Sequence, residues 1–109
     1  MLRYEATSQQ GTMIVTLKGE LDHHAAAVLK SQLDEGIDRE NIRDLTFDMQ
    51  GLNFMDSSGI GLILGRYKKI KEAGGMVRVR NASVQAMKIL ELSGLRRIIP
   101  LIQERGEAL

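Results

Sequence analysis

The sequence predicts an α/β domain with a mixed sheet of four or five strands and helices packed on it, in the order β-β-α-β-α-β-α-β. Three observations carry this. Apolar residues alternate with polar ones in short runs around residues 2–6, 13–17, 45–49 and 76–80. Apolar stripes at helical spacing occupy the stretches between the later runs. Cap and turn residues separate the two patterns.

The elements follow in order. Leu2, Tyr4 and Ala6 alternate as in a half-buried strand, and Ser8-Gln9-Gln10-Gly11 marks a turn. Met13, Val15 and Leu17 form the second strand, so the two make a hairpin, and Gly19 bends the chain beyond it. Asp22 is a good N-cap for a first helix whose core stripe is Ala26, Leu29 and Leu33, running to Asp34. Gly36 stands where a left-handed C-terminal residue is favoured. Ile42 anchors the polar connection that follows.

Leu45, Phe47 and Met49 alternate with Thr46 and Asp48 as a third strand. A crossover through a helix makes it parallel to the second. Residues 51–55 read as a short loop delivering Asp56-Ser57-Ser58-Gly59 to the start of a central helix over 57–73. Placed at 100° per residue, Ile60, Ile63, Leu64, Tyr67 and Ile70 share the core face. Ser58, Leu62, Gly65, Arg66 and Lys69 fall opposite, on a polar face. Gly61 and Gly65 each weaken that helix by up to about 1 kcal/mol relative to Ala, so close approach of another backbone, in this domain or in a partner, is expected there. Gly74-Gly75 ends the helix. Met76 to Arg80 is a strand with Val77 and Val79 facing one way. Ser83 caps a third helix carrying Val84, Met87 and Leu90 on one stripe, which ends at Ser93-Gly94. Ile98-Ile99 gives a last short strand before Pro100, and the tail from Gln103 is less distinctive.

Composition narrows the function. The chain has 109 residues, enough for one domain, with no internal repeat or linker. Fifteen basic residues against 14 acidic ones leave a formal charge of +1. That argues against a general electrostatic footprint for nucleic acid or an anionic membrane. There is no cysteine, hence no disulfide or thiolate metal site. Met1-Leu2-Arg3-Tyr4-Glu5 lacks the apolar core of a signal peptide. No apolar run approaches the length, about 20 residues, that spans a bilayer. A cytoplasmic protein is expected.

The Asp56-Ser57-Ser58-Gly59 segment opens a helix, where backbone N–H groups lack intrahelical partners and the dipole is positive. Such a helix start seats anions and phosphates. The residues alone leave Ser57 open as a cap or a phosphate acceptor, and Asp56 as a cap or a group that orients Ser57. Leu62, one turn on, is either an isolated exposed leucine or a docking contact. Asp22, His23 and His24 do not suggest a metal site, because adjacent helical histidines diverge by about 100°. Asp22 and His23 are instead expected beside the serines.

A family resemblance rests on Gly19-Glu20-Leu21-Asp22-His23-His24, Phe54-Met55-Asp56-Ser57-Ser58-Gly59-Ile60-Gly61, Ile63-Leu64-Gly65-Arg66-Tyr67 and Leu92-Ser93-Gly94-Leu95. In order and spacing these resemble the anti-sigma-factor antagonists of the STAS family, across residues 1–109. The Leu-Asp-His-His and Leu-Gly-Arg-Tyr segments are similar to the sporulation branch. The resemblance implies a protein that binds an anti-sigma factor that is also a serine kinase, so freeing the sigma factor. It implies phosphorylation at Ser57 by that kinase and reversal by a serine phosphatase. ATP and magnesium belong to the kinase; the antagonist has no cofactor, no metal and no catalytic activity. The partner surface expected from this is Asp22, His23, Asp56, Ser58, Gly59, Gly61, Leu62, Gly65 and Arg66. The protein is expected to be monomeric when free, without direct contact to nucleic acid or membrane.

Three alternatives stand beside it. A STAS module of another partner-switching complex, such as stress regulation, shares the Asp-Ser-Ser-Gly segment. A small serine hydrolase would need Ser57 or Ser58 with His23 or His24 and an aspartate, but the Gly-x-Ser-x-Gly elbow is missing. A nucleotide site at Gly59-Ile60-Gly61 lacks the Gly-Lys-Ser/Thr ending.

Overall fold

A computed structural model describes residues 1–103. Its elements are β1 (Arg3–Gln9), β2 (Thr12–Leu21), α1 (His23–Arg39), β3 (Asp44–Met55), α2 (Ser57–Glu72), β4 (Met76–Arg80), α3 (Val84–Ser93), a 3-10 turn (Leu95–Arg97) and β5 (Leu101–Ile102). The five strands form one sheet in the order β1-β2-β3-β4-β5. β1 pairs antiparallel with β2, and every other pair is parallel. Each parallel step passes through a helix and moves the same way across the sheet. Right-handed crossovers then place all the helices on one face.

The core lies between that face and the helices. Val15, Phe47 and Val79 are register partners across β2, β3 and β4, and all are fully buried. The alternate side chains form the other face. There Arg80 Nε donates to Asp48 Oδ2 at 2.9 Å and Arg78 Nη1 donates to Thr46 Oγ1 at 3.4 Å. These arginines help bury Thr46 and Asp48, so central β3 is covered on both sides.

Five local expectations change. β1 is exposed along its length, because the helices pack over β2 to β4 and leave this edge uncovered. Tyr4 and Ala6 still lie opposite Leu17 and Val15, but nothing seals them. α1 runs past Gly36 to Arg39, since Ile37 still reaches the core. Gly36 is buried inside the helix, and the left-handed residue is Asn41, at φ 52°. The predicted loop 51–55 is strand: Leu52 pairs with Gly19 and Met55 with Leu21. Register shifts between Thr16 and Lys18 and between Gly19 and Glu20 break the alternation that marks a strand. α3 buries Ala86 and Leu90 but leaves Val84 72% exposed. The last strand is Leu101–Ile102; Ile98 lies outside it, and Ile99 is buried just before Pro100. The tail beyond Gln103 lies outside the described residues.

Among the described residues no helix is long and apolar enough to cross a membrane.

Candidate functional site

Parallel pairing of β2 with β3 builds the site. Leu21 and Met55 are register partners, and each is the last residue of its strand. Asp22 and Asp56 follow immediately and therefore stand just past the ends of neighbouring strands, whose spacing is about 4.8 Å. Asp56 N–H donates to Leu21 C=O at 3.4 Å, which ties the two chain segments together. Each aspartate is an N-cap. Asp22 Oδ1 accepts from Ala25 N–H at 2.9 Å, and Asp56 Oδ1 accepts from Ser58 N–H at 2.9 Å. Two helices thus start side by side at the carboxyl ends of parallel strands, where open α/β sheets present their sites.

The electrostatics follow from the caps. The Ala25 N–H, against a smaller effect of burial and with help from nearby His24, holds the Asp22 carboxyl below its ordinary range. His23 and His24 are exposed and meet edge to face, ring centres 5.9 Å apart. Ser57 is the first residue of α2 and is exposed; Ser58 is half-buried. Among the described residues, no hydrogen bond joins either serine hydroxyl to a histidine. A concavity of about 610 Å³ lies elsewhere, between Gln50, Ser83 and Met87.

Gly59 explains how α2 can start so close to the strands. A Cβ there would stand 2.6 Å from Met55 Cγ and 3.1 Å from Leu21 Cδ2. The helix start rests directly on the last residues of β2 and β3. Its place in the expected partner surface is therefore a packing position, and it is buried.

The phase of α2 needs correction. Leu62 and Arg66 were expected on the polar outer face, yet they are only 4% and 5% exposed. The buried residues are Gly59, Leu62, Ile63, Arg66 and Ile70, while Ile60, Leu64 and Tyr67 are half-buried. The cause is that α2 packs against α1 as well as against the sheet. Arg66 Nε lies 2.9 Å from Asp34 Oδ1 of α1, and Lys69 Nζ lies 2.8 Å from Asp38 Oδ1. That Asp38 contact raises the Lys69 ammonium above the usual lysine value. A single-helix projection reads arginine as polar and cannot see an acidic partner on another helix.

Gly61 and Gly65 leave only one of the two expectations for them, a close approach from outside the domain. Among the described residues no backbone approaches them: a Cβ at either would meet nothing within 4 Å. Gly61 is exposed and Gly65 half-buried, so with Ser57 they leave a low, open strip along α2. One feature went unrecognised in the sequence. Phe54 is 46% exposed two residues before Asp56, and an aromatic in a stretch resembling a loop was its only signal.

Residues 3–108 match the STAS domain family, and the chain belongs to it. The anti-sigma F factor antagonist of Paenibacillus polymyxa is 40% identical over 108 residues, covering 99% of this chain and 92% of that protein. The fold is similar to that of the anti-sigma factor antagonist SpoIIAA in its unphosphorylated form, with TM-score 0.85 and 28% identity, covering 96% of this chain and 90% of that one. It is also similar to the Bacillus cell fate determinant SpoIIAA in the phosphorylated form, with TM-score 0.77 and 28% identity, covering 96% and 94%.

Proposed function

We propose that this protein is an anti-sigma-factor antagonist of the sporulation type. It binds an anti-sigma factor that is also a serine kinase, displaces the sigma factor, and is switched off when that kinase phosphorylates Ser57. The observation that carries the reading is Ser57 itself: an exposed hydroxyl at the first position of α2, inside the motif that carries the family resemblance. Similarity to an antagonist solved both with and without phosphate supports it.

The chemistry follows from position. Phosphorylation adds about −1.5 to −2 charge. At a helix start that charge meets the positive end of the dipole, at an exposed position beside N–H groups that Asp56 already caps, so the fold tolerates it. The change falls on the binding surface. Asp22, His23, Asp56, Ser57, Ser58, Gly61 and Gly65 form the face a partner meets. A phosphate there adds bulk and repels acidic groups. Leu62, Arg66 and Gly59 support this face from beneath. A serine phosphatase resets the switch. ATP and magnesium are held by the kinase, and this chain, acting in the cytoplasm, is its substrate rather than a catalyst.

The test is incubation with a co-purifying anti-sigma kinase and ATP, followed by mass-spectrometric mapping. Phosphate is expected on Ser57, and a Ser57→Ala variant should stay bound to the kinase with ATP present. Phosphate on Ser58 alone, or none on either serine, refutes the reading.

A further inference from the structure

The buried Arg66 is hard to justify as a source of stability. Its side chain is 6% exposed, and Nη1 is buried without a hydrogen-bond partner. Its Nε contact with Asp34 is close but not aligned as a hydrogen bond. Desolvating such a pair costs about as much as the attraction returns, and apolar replacements of similar volume are often neutral or stabilising. Lys69–Asp38 continues the contact one turn further, but it is open to solvent at Asp38, 68% exposed. Lys30 Nζ approaches Asp34 at 3.7 Å from within α1. Among the described residues Arg66 is thus the one buried rung between two helices that begin side by side at Asp22 and Asp56.

Geometry says what such a rung controls. Ser57 precedes Arg66 by nine residues, which is two and a half helical turns and about 13.5 Å. The two side chains therefore point to opposite sides of α2. Drawing Arg66 inward onto α1 turns Ser57 outward and sets the axial register of one helix start against the other. The hydrophobic effect is itself non-directional, and an ion pair adds a directional contact to the packing that seats α2.

We propose that Arg66, through Asp34, is a positioning residue for Ser57: it sets the rotation of α2 so that the hydroxyl faces the kinase beside Asp22 and His23. This rests on the phospho-acceptor reading above. It is distinct from it in assigning the presentation of that serine to a buried ion pair.

The experiment replaces the pair with apolar groups, Asp34→Leu with Arg66→Met, and runs Asp34→Asn and Arg66→Lys beside it. Melting, Ser57 phosphorylation kinetics and amide exchange at Ser58 and Gly59 are measured on each full chain. The double variant is expected to melt at or above the wild-type temperature. Its kcat/KM as a kinase substrate should fall about tenfold to a hundredfold, chiefly through kcat, the scale of a small misplacement of a reacting group. Exchange at Ser58 and Gly59 should quicken, and Arg66→Lys should recover most of the lost kcat/KM. Kinetics and exchange like the wild type in both the double variant and Asp34→Asn would overturn the proposal. So would a fall in kcat/KM that merely follows a loss of melting temperature. If the wild type takes no phosphate at Ser57, the functional reading fails, and the exchange measurement still decides whether the pair orders the start of α2.

Discussion

Replacing Gly61 by alanine should make the protein more stable and a worse partner. Gly61 lies in the interior of α2, exposed, with nothing within 4 Å of the position a Cβ would take. The new methyl meets no atom and costs no packing. What remains is helix propensity, which favours alanine over glycine by about 0.8–1 kcal/mol. Unfolding entropy near 2.1 cal/mol/K per residue amounts to about 0.23 kcal/mol/K for a chain of this length, so Tm should rise by about 4 °C. Scanning calorimetry reads this directly, with urea unfolding as a check. The same methyl lies one turn beyond Ser57, on the strip proposed to meet the kinase. Capture of the kinase by Gly61→Ala should therefore weaken, with a faster off-rate by surface plasmon resonance. A drop in Tm would show that Gly61 is not on an open face. A gain in Tm with unchanged capture would remove the strip from the interface.

Two further outcomes follow from burial and capping. Leu62→Ala should cost about 2–5 kcal/mol, the usual range for a buried leucine, and lower Tm by about 10–20 °C; a shift under about 2 °C by the same calorimetry would return Leu62 to the surface. Asp22 gives a pH dependence. Its folded carboxyl is held below the unfolded value, so its contribution is present above about pH 4 and is lost as pH falls through the lowered folded value. Urea midpoints taken between about pH 5 and 2 should fall less steeply for Asp22→Asn than for the wild type; parallel curves would refute the cap's role.

Much of the fold was legible because its signals are local. Met13, Val15 and Leu17 alternate within one strand, and Asp22, Asp56 and Ser83 cap helices within three residues of themselves. Leu45, Phe47 and Met49 mark the central strand in the same way. Legibility failed where a distant neighbour sets the answer. Residues 51–55 lost their alternation to register shifts against β2. Tyr4 and Ala6 carry the pattern of a half-buried strand but sit at an edge the helices leave exposed. Val84 completes a helical stripe yet faces water, because α3 meets the sheet through Ala86 and Leu90.

The candidate site divides the same way. Ser57 at a helix start, capped by Asp56, can be read from four consecutive residues, since a cap bond spans only the first turn. The adjacency of Asp22 to Asp56, the burial of Leu62 and the turning of Arg66 toward Asp34 depend on strand register and helix packing. Those relations join residues more than 30 positions apart in the chain, beyond the reach of any periodicity along it.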